Sequence, residues 1–276
     1  MTSSHPTFAV ALTQLGLIEA GGADAASFLQ GQLSNDVRSV TPALAQLSSC
    51  NSAKGRMLAV LHVLRRDGTF LLELQRSLLE STLKRLRMYV LRSKVTLAES
   101  DGALFGLAGP GAAEVLAGMN LPAPAAPLAC AWSGELCVTR RLGDAPRFTL
   151  LAPRAQAGAL GRQLGQGAAA GTVDDWKRLE IEAGIPTVYP ETQDRFVAQM
   201  CNLDTLGGIS FDKGCYTGQE VIARVHYRGA VKRHMQARRL DAPAPAPGSK
   251  LEAGEVVDAA PLPGGGSIAL VVAAAS

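Results

Sequence analysis

Two apolar segments joined by a short turn constrain the fold of this chain more than any other feature. Residues 56–64 and 69–74 are rich in Leu and Val, and Asp67-Gly68 stands between them, a dipeptide that favours the tight turn of a β-hairpin. The two strands of a hairpin pair antiparallel. Helical patterns follow at about 77–90 and 172–183. The sequence therefore predicts an α+β protein and not a doubly wound parallel sheet.

Polar residues at expected capping positions predict where three helices begin. Asp24 would cap a short helix, Ser77 with Glu80 would form a capping box, and Thr217 with Glu220 would form another. In each case a side-chain oxygen would accept a hydrogen bond from a backbone N–H in the first helical turn.

Three further segments bear on the domain organisation. Residues 152–172 are dominated by Ala, Gly and Gln and fit a surface helix as well as a loop. The Pro-rich stretch 241–248 fits either an interdomain linker or a stiff loop between strands. Short strand-like pieces separated by Gly and Pro follow it up to residue 272, a pattern typical of a small all-β module.

Composition excludes several classes of protein. Hydrophobic residues make up 47% and charged residues 18%, so the chain has enough apolar surface to form a core. No apolar run approaches the about 18 residues of a membrane span, and no basic segment opens a secretory signal. Five cysteines without a C-x-x-C pair disfavour both a disulfide framework and a metal site. We expect a soluble protein of the reducing cytoplasm, with no membrane association.

The net charge of +3 is too small to indicate a nucleic-acid-binding protein. Two local basic clusters nevertheless stand out. They are either solvated faces of a helix and a strand, or a rim that attracts a polycarboxylate ligand, an acidic partner or RNA. The clusters are Lys84, Arg85, Arg87, Arg92 and Lys94, and Arg224, Arg228, Lys232, Arg233, Arg238 and Arg239.

Residues 207–224 hold the sequence pattern most suggestive of chemistry. Cys215 precedes the predicted helix, whose positive dipole end favours a thiolate, and Lys213 adds a nearby cation. Gly214 and Gly218 would let the backbone approach a ligand closely. These are the conditions for a reactive cysteine, although an inert thiol buried in a turn would fit the same local pattern.

Two other roles for this cysteine find less support. A cysteine protease needs a histidine base, and nothing in the sequence directs His226 or His234 toward Cys215. A cluster held by Cys201 and Cys215 would need two further ligands that the spacing does not supply.

The predicted helix at 172–183 carries two candidate ligand-binding carboxylates. Trp176, Leu179 and Ala183 share one face, and Glu180 and Glu182 flank that face on opposite sides. A carboxylate at the edge of a buried face accepts two N–H bonds from a planar heterocycle such as a pterin. An ordinary solvent-facing glutamate is the alternative, and spacing alone does not choose.

At these residues the chain resembles the YgfZ-type folate-binding proteins, relatives of the glycine-cleavage T-protein (aminomethyltransferase). Residues 213–220, Lys-Gly-Cys-Tyr-Thr-Gly-Gln-Glu, match the hallmark of that family throughout, and an eight-residue match around a central Cys is a specific signal. The similarity spans most of the chain. It also includes residues 28–36, 54–56, 91–95, 181–186, 202–211 and 229–233.

The resemblance implies T-protein-like lobes of antiparallel sheet and helices around a central channel, with a small C-terminal β-barrel. The folate-binding lobes would occupy residues 1–229 and the barrel 230–276, which makes 241–248 an internal loop. Tetrahydrofolate would lie in the channel, with Glu182 holding the pterin and Arg224 meeting the glutamate tail. The implied folate-binding residues are Glu182, Arg224, Gln199 and Arg56.

The resemblance further implies an accessory role in assembly or repair of iron–sulfur clusters, including those of enzymes that methylthiolate tRNA. Cys215 and Lys213 would be the functional pair, and the partners would be folate and iron–sulfur assembly or client proteins. A monomer that does not bind nucleic acid directly is expected, and a tRNA-binding module using the basic clusters is a third reading.

The main alternative is a folate-dependent aminomethyltransferase or demethylase. T-proteins place an Asp where this chain has 54–56, Lys-Gly-Arg, and a base in place of that acid argues against aminomethyl transfer. Ala198 stands where the family usually has Pro.

Overall fold

The computed structural model describes residues 6–229 and 231–274. Within these residues the chain forms fifteen strands: β1 (Phe8–Ala11), β2 (Leu15–Gly21), β3 (Gln46–Asn51), β4 (Met57–Arg66), β5 (Thr69–Gln75), β6 (Thr96–Glu99), β7 (Gly102–Ala108), β8 (Cys130–Ser133), β9 (Leu136–Arg140), β10 (Arg147–Pro153), β11 (Ala169–Ala170), β12 (Arg233–Leu240), β13 (Lys250–Leu251), β14 (Gly254–Pro261) and β15 (Ser267–Ala274). The same residues form six α-helices: α1 (Ala25–Gln32), α2 (Leu79–Met88), α3 (Ala112–Gly118), α4 (Ala157–Gly167), α5 (Val173–Glu182) and α6 (Gln219–Arg228).

The predicted hairpin is the middle of a five-stranded sheet with the order β3-β4-β5-β2-β6. Strands β4 and β5 pair antiparallel up to Arg66 and Thr69, so Asp67-Gly68 is a two-residue turn. Both turn residues have positive φ, 48° and 82°, as the tight hairpin turn requires. Helices α1 and α2 cover one face of this sheet with apolar side chains such as Leu29 and Leu86, both fully buried.

A six-stranded sheet with the order β11-β1-β7-β10-β9-β8 forms the second lobe. The pairings are antiparallel except for the short parallel contact between β1 and β11. Helix α4 settles the ambiguity at 152–172, because Leu160 and Leu164 pack with α3 into a core on one face of this sheet. The mixture of antiparallel sheets and helices confirms the predicted α+β class.

The C-terminal strands form a four-stranded sheet with the order β12-β15-β14-β13, which curls into a half-barrel. Residues 241–248 connect β12 to β13 within this one sheet, so they are a loop of the module and not an interdomain linker. The predicted domain boundary falls at Ala230, which lies outside the described residues, and it stays a prediction.

Helix α5 joins the three parts of the fold. Trp176 and Leu179 pack into a core with strands of the six-stranded sheet, while Ile181 packs into the core shared by the five-stranded sheet and the half-barrel. Lys177 Nζ lies 2.7 Å from Oδ1 of Asp258 on β14. A single helix therefore contacts both lobes and the half-barrel.

All three predicted capping interactions are wrong because longer-range contacts set the chain path. Ser77 lies in a 3₁₀ turn before α2. Among the described residues, no capping side chain accepts a hydrogen bond from the N–H groups at the start of that helix. Helix α6 begins at Gln219 after Gly218, whose φ of 85° is left-handed, and no side chain caps it. Asp24 does not cap α1 either, because its carboxylate accepts a hydrogen bond from the backbone N–H of Lys94 at 2.7 Å.

Candidate functional site

The motif at 213–220 forms a loop with an exposed thiol between buried anchors. Cys215 is exposed, whereas Lys213 and Tyr216 are 5% and 7% exposed. The Lys213 ammonium donates hydrogen bonds to the backbone carbonyls of Leu33 (2.6 Å) and Asn35 (2.8 Å). It also lies 4.9 Å from the centre of the Tyr216 ring. The two anchors hold the loop so that the thiol faces solvent.

Glycine is required where the motif loop meets the turn that precedes β4. A Cβ on Gly218 would lie 2.4 Å from the carbonyl oxygen of Ser52, and its φ of 85° is left-handed. Across the contact, a Cβ on Gly55 would lie 2.9 Å from Val221. This close approach brings the predicted Lys54-Gly55-Arg56 segment next to the beginning of α6.

Burial lowers the pKa of Lys213 to about 8, which makes folding stability depend on pH. The folded protein releases this proton before the unfolded chain does, so the unfolded state binds more protons between pH 8 and the ordinary value of 10.5. We expect the unfolding free energy of wild type, relative to Lys213→Met, to rise by roughly 1–2 kcal/mol across that window. The two carbonyl bonds favour the ammonium and reduce the full effect.

Denaturant unfolding at a series of pH values from 7 to 10.5 measures this difference. Lys232→Met, at an exposed lysine, is the matched control and should give a pH-independent difference. A constant offset between wild type and Lys213→Met would show that Lys213 keeps its proton in the folded state.

Three of the predicted folate-binding residues lie near α6 or its neighbouring turn. Gln199 is buried, and its amide nitrogen donates to the carbonyl of Ile222 in α6 at 2.6 Å, while its Oε1 has no hydrogen-bond partner within residues 6–229 and 231–274. Arg56 is exposed and donates to the carbonyl of Asp194 at 3.2 Å. Arg224 is exposed on α6 itself. Their assignment as folate contacts stays a prediction.

The fourth, Glu182, is exposed at the last position of α5. Glu180, two residues earlier on α5, lines a cavity instead. A cavity of about 240 Å³ opens there between the five-stranded sheet, α5 and the segment after it. None of the six predicted site residues lines it. Its lining is Gln14, Leu15, Val60, His62, Glu73, Leu74, Gln75, Arg141, Val173, Asp174, Trp176, Lys177, Glu180, Ile185, Pro186, Thr187, Val188 and Tyr189.

Five buried ionisable residues form one wall of this cavity and its support, which we call the buried ion cluster: His62, Glu73, Arg141, Arg147 and Glu180. Arg141 is at its centre. Its Nη1 donates to Glu73 Oε1 at 2.8 Å, and its Nη2 contacts His62 Nδ1 at 3.0 Å and Glu180 Oε1 at 3.3 Å. Two guanidiniums thus balance two carboxylates in a buried environment.

Glu180 has one oxygen in use and one unused. Its Oε1 contacts Arg141 and also Nη1 of Arg147 at 3.3 Å. Its Oε2 is buried and has no hydrogen-bond partner among the described residues. Burial alone would raise the pKa of Glu180, but the two guanidiniums outweigh it and hold that pKa below the ordinary value. The cavity therefore presents a charged acceptor that still needs a donor.

His62 is neutral in this environment. Burial lowers the pKa of the His62 imidazole well below its ordinary value, and Arg141 and Arg147 lower it further. Burial raises the pKa of Glu73, and the Arg141 guanidinium offsets part of that rise. A third positive charge in the cluster would have no counter-ion.

Sequence reasoning missed most of this cluster, although a partial signal was present. His62 and Glu73 interrupt the two apolar runs of the hairpin, and the two-residue turn makes them directly opposite partners across β4 and β5. Polar residues at facing positions of an apolar hairpin indicate a shared partner or ligand. Glu180 was identified only as one of two candidate carboxylates on its helix, and Arg141, from a distant part of the chain, gave no local sign.

Within the part of the chain that the structure describes, no helix has the length and apolarity needed to cross a bilayer. Nor do His, Cys, Asp and Glu side chains gather there into a metal-binding group of three or more.

Curated proteins similar to this chain share one name. It is 38% identical over 231 residues to the tRNA-modifying protein YgfZ of Klebsiella pneumoniae (strain 342), which covers 83% of this chain and 70% of that protein. It is 37% identical over 257 residues to the tRNA-modifying protein YgfZ of Sodalis glossinidius (strain morsitans), covering 91% and 78%. No protein-family model matches the chain.

Among solved structures, the fold is similar to the glycine cleavage system aminomethyltransferase T from Bartonella henselae. The TM-score is 0.82 at 17% sequence identity, over 99% of this chain and 79% of that one. At this identity the likeness concerns the fold. It confirms the predicted T-protein-like arrangement of lobes and C-terminal sheet.

Proposed function

The chain belongs to the family of the tRNA-modifying protein YgfZ, and on that premise we propose that it is a tetrahydrofolate-binding accessory protein for tRNA modification. It acts in the cytoplasm by supporting assembly or repair of iron–sulfur clusters in client enzymes, including those that methylthiolate tRNA. Bound tetrahydrofolate carries one-carbon units and reducing equivalents for such chemistry. The partners are the folate and iron–sulfur assembly or client proteins.

The observation that carries the folate proposal is the unused buried oxygen of Glu180, a residue that lines the cavity beside α5. A pterin is a flat heterocycle whose ring N–H and amino groups donate hydrogen bonds along one edge. A deprotonated carboxylate with a free oxygen is the complementary acceptor. Apolar and aromatic side chains such as Val60, Trp176 and Tyr189 complete the walls, which suits the faces of a heterocycle.

The size of the cavity supports a binding mode in which the ring of the ligand lies inside and its tail lies outside. Its volume of about 240 Å³ is below the roughly 300–1,000 Å³ of sites that enclose a whole drug-sized ligand. The pterin is therefore the enclosed part, and the anionic glutamate tail lies outside. Arg224 and Arg56, both exposed, are the cations proposed to meet it, and Gln199 and Glu182 stay proposed folate contacts on the family resemblance.

Calorimetric titration of tetrahydrofolate into the purified chain under anaerobic conditions tests this proposal. Saturable binding with one site per chain is expected. A chain that releases no heat and shows no protection from thermal unfolding by tetrahydrofolate would exclude the folate role.

Cys215 is the proposed reactive group, with Lys213 as its positioning partner. The thiol is exposed, while Cys50, Cys130, Cys137 and Cys201 are buried. Because alkylation needs both access and thiolate, we expect Cys215 to react with iodoacetamide at least about tenfold faster than any other thiol.

Peptide mass spectrometry over a labelling time course measures the five rates separately. In Cys215→Ser the fast label should disappear and the slow ones should remain unchanged. Equal rates at all five cysteines in the folded protein would contradict the proposed role of the motif.

A further inference from the structure

The tautomer of His62 follows from its contact with Arg141. A guanidinium has donors and no acceptor, so Nδ1 of His62, 3.0 Å from Arg141 Nη2, accepts that hydrogen bond. The neutral ring then carries its single proton on Nε2. Among the residues that the structure describes, both polar contacts of the ring, to Arg141 and Glu73, are made through Nδ1. The Nε2–H group therefore has no acceptor among the described residues.

This unused donor belongs to the same cavity as the unused acceptor of Glu180. Both residues line the cavity, and both are bound to the same nitrogen, Nη2 of Arg141. Arg141 therefore fixes the position of a neutral donor and a charged acceptor relative to each other. Buried polar groups require partners, and a ligand in the cavity that offers an acceptor to one and a donor to the other would satisfy both.

We propose that His62 determines which heterocycle this cavity accepts, by donating Nε2–H to a ring carbonyl of the ligand while Glu180 accepts from an adjacent N–H. The inference rests on the proposed folate function and specifies it. The ring edge that fits is a lactam, C=O next to N–H, as in the 4-oxo pterin of tetrahydrofolate. A 4-amino ring places a donor opposite the His62 donor and lacks the N–H at position 3.

The discriminating pair of ligands is tetrahydrofolate and its 4-amino counterpart, tetrahydroaminopterin. Wild type should bind the 4-oxo ligand at least about tenfold more tightly, since two facing donors leave both unpaired. Calorimetry under anaerobic conditions gives both dissociation constants. Their ratio is the quantity of interest because it cancels general damage to the site.

Two variants separate the donor from the support that His62 gives to Arg141. His62→Asn places a side-chain oxygen near the position of Nδ1, so that Arg141 keeps an acceptor while the Nε2 donor is lost. His62→Gln places an amide nitrogen near the position of Nε2 and restores a donor. We expect the affinity ratio to fall to about one in His62→Asn and to return in His62→Gln. Circular dichroism and unfolding midpoints verify that both variants fold.

The possible negative results distinguish failure of the His62 inference from failure of the proposed folate function. If wild type binds both ligands equally, or if His62→Asn keeps the full ratio, His62 does not select the ring and the inference is overturned while folate binding stands. If wild type binds neither ligand, the proposed function itself is overturned, and the assignment of His62 with it.

Discussion

Replacing Glu180 by glutamine is expected to weaken tetrahydrofolate binding by about 10- to 100-fold. The substitution preserves the shape of the side chain but removes the negative charge and supplies a poorer acceptor. Hydrogen bonds to a charged group contribute about 1.5–3 kcal/mol, and each 1.4 kcal/mol changes a dissociation constant about tenfold. The reason to expect the upper part of the range is that Glu180 Oε2 is buried and has no other partner among the described residues.

Glu182→Gln is the variant to compare with it, because the two carboxylates lie on one helix and only Glu180 lines the cavity. Glu180 lines the cavity, whereas Glu182 is exposed at the end of α5. The geometry predicts a large loss of tetrahydrofolate affinity in Glu180→Gln and a small loss in Glu182→Gln. The family resemblance predicts a loss in Glu182→Gln as well.

Calorimetry on the two variants decides between these expectations. A loss confined to Glu182→Gln would move the pterin out of the cavity toward the exposed end of the helix. Since Glu180 also pairs with Arg147 at 3.3 Å, the unfolding free energy of Glu180→Gln is measured in parallel, so that lost binding is compared only among folded proteins.

The features predicted well from the sequence are those that neighbouring residues determine. Asp67-Gly68 specifies a tight turn through two positive φ angles. This turn sets the register of β4 and β5. The helix predicted at about 172–183 is α5, and the structure shows that its start is fixed locally, by a capping box between Thr172 and Asp175 in one helical turn. Such features are independent of the rest of the chain.

The expected capping box at Thr217 illustrates what local sequence does not contain. The Thr217 N–H donates to the carbonyl of Gly31, far away in the chain, and Gly218 adopts a left-handed conformation against Ser52. The residue types of a capping box are present, but tertiary contacts use the backbone differently. For Cys215 the local pattern left both a reactive thiol and a buried inert thiol open, and the structure shows that the thiol is exposed.

The buried ion cluster was beyond reach for a related reason. His62, Glu73, Arg141 and Glu180 come from a hairpin, the loop after β9 and a helix, and nothing in the sequence of any one of these elements names its partners in the other two. Only packing of the two lobes around α5 brings them together. A charge pattern is predictable within one element by its periodicity, but not across elements whose relative placement is unknown.

Replacing Arg141 by methionine is expected to lower the unfolding free energy by about 3–5 kcal/mol, the cost of removing one partner from a buried ion pair. Arg141 is 3% exposed and contacts Glu73 at 2.8 Å. Without it, Arg147 still pairs with Glu180, but Glu73 keeps no counter-ion within the described cluster. Arg154→Met, at an exposed arginine paired with exposed Asp101, is the control and should cost only about 0–1 kcal/mol.

The pH dependence of that loss identifies its cause. Burial already raises the pKa of Glu73 in wild type, and removal of the guanidinium raises it further. A carboxyl group whose folded pKa is raised destabilises the fold above that pKa and ceases to do so once it is protonated. The deficit of Arg141→Met relative to wild type should therefore shrink as the pH falls from 7 to 5.

A second substitution tests at a single pH whether the unpaired charge of Glu73 causes the loss of stability. Glu73→Gln in the Arg141→Met background removes the stranded charge, and it should recover part of the lost stability, although the same change in wild type destabilises. Denaturant unfolding of the four proteins gives the coupling energy between the two residues. A deficit that is equal at pH 5 and pH 7, with no recovery in the double variant, would mean that Arg141 stabilises the cavity wall by packing alone. The guanidinium would then not be what fixes Glu180 and His62 in position for a ligand.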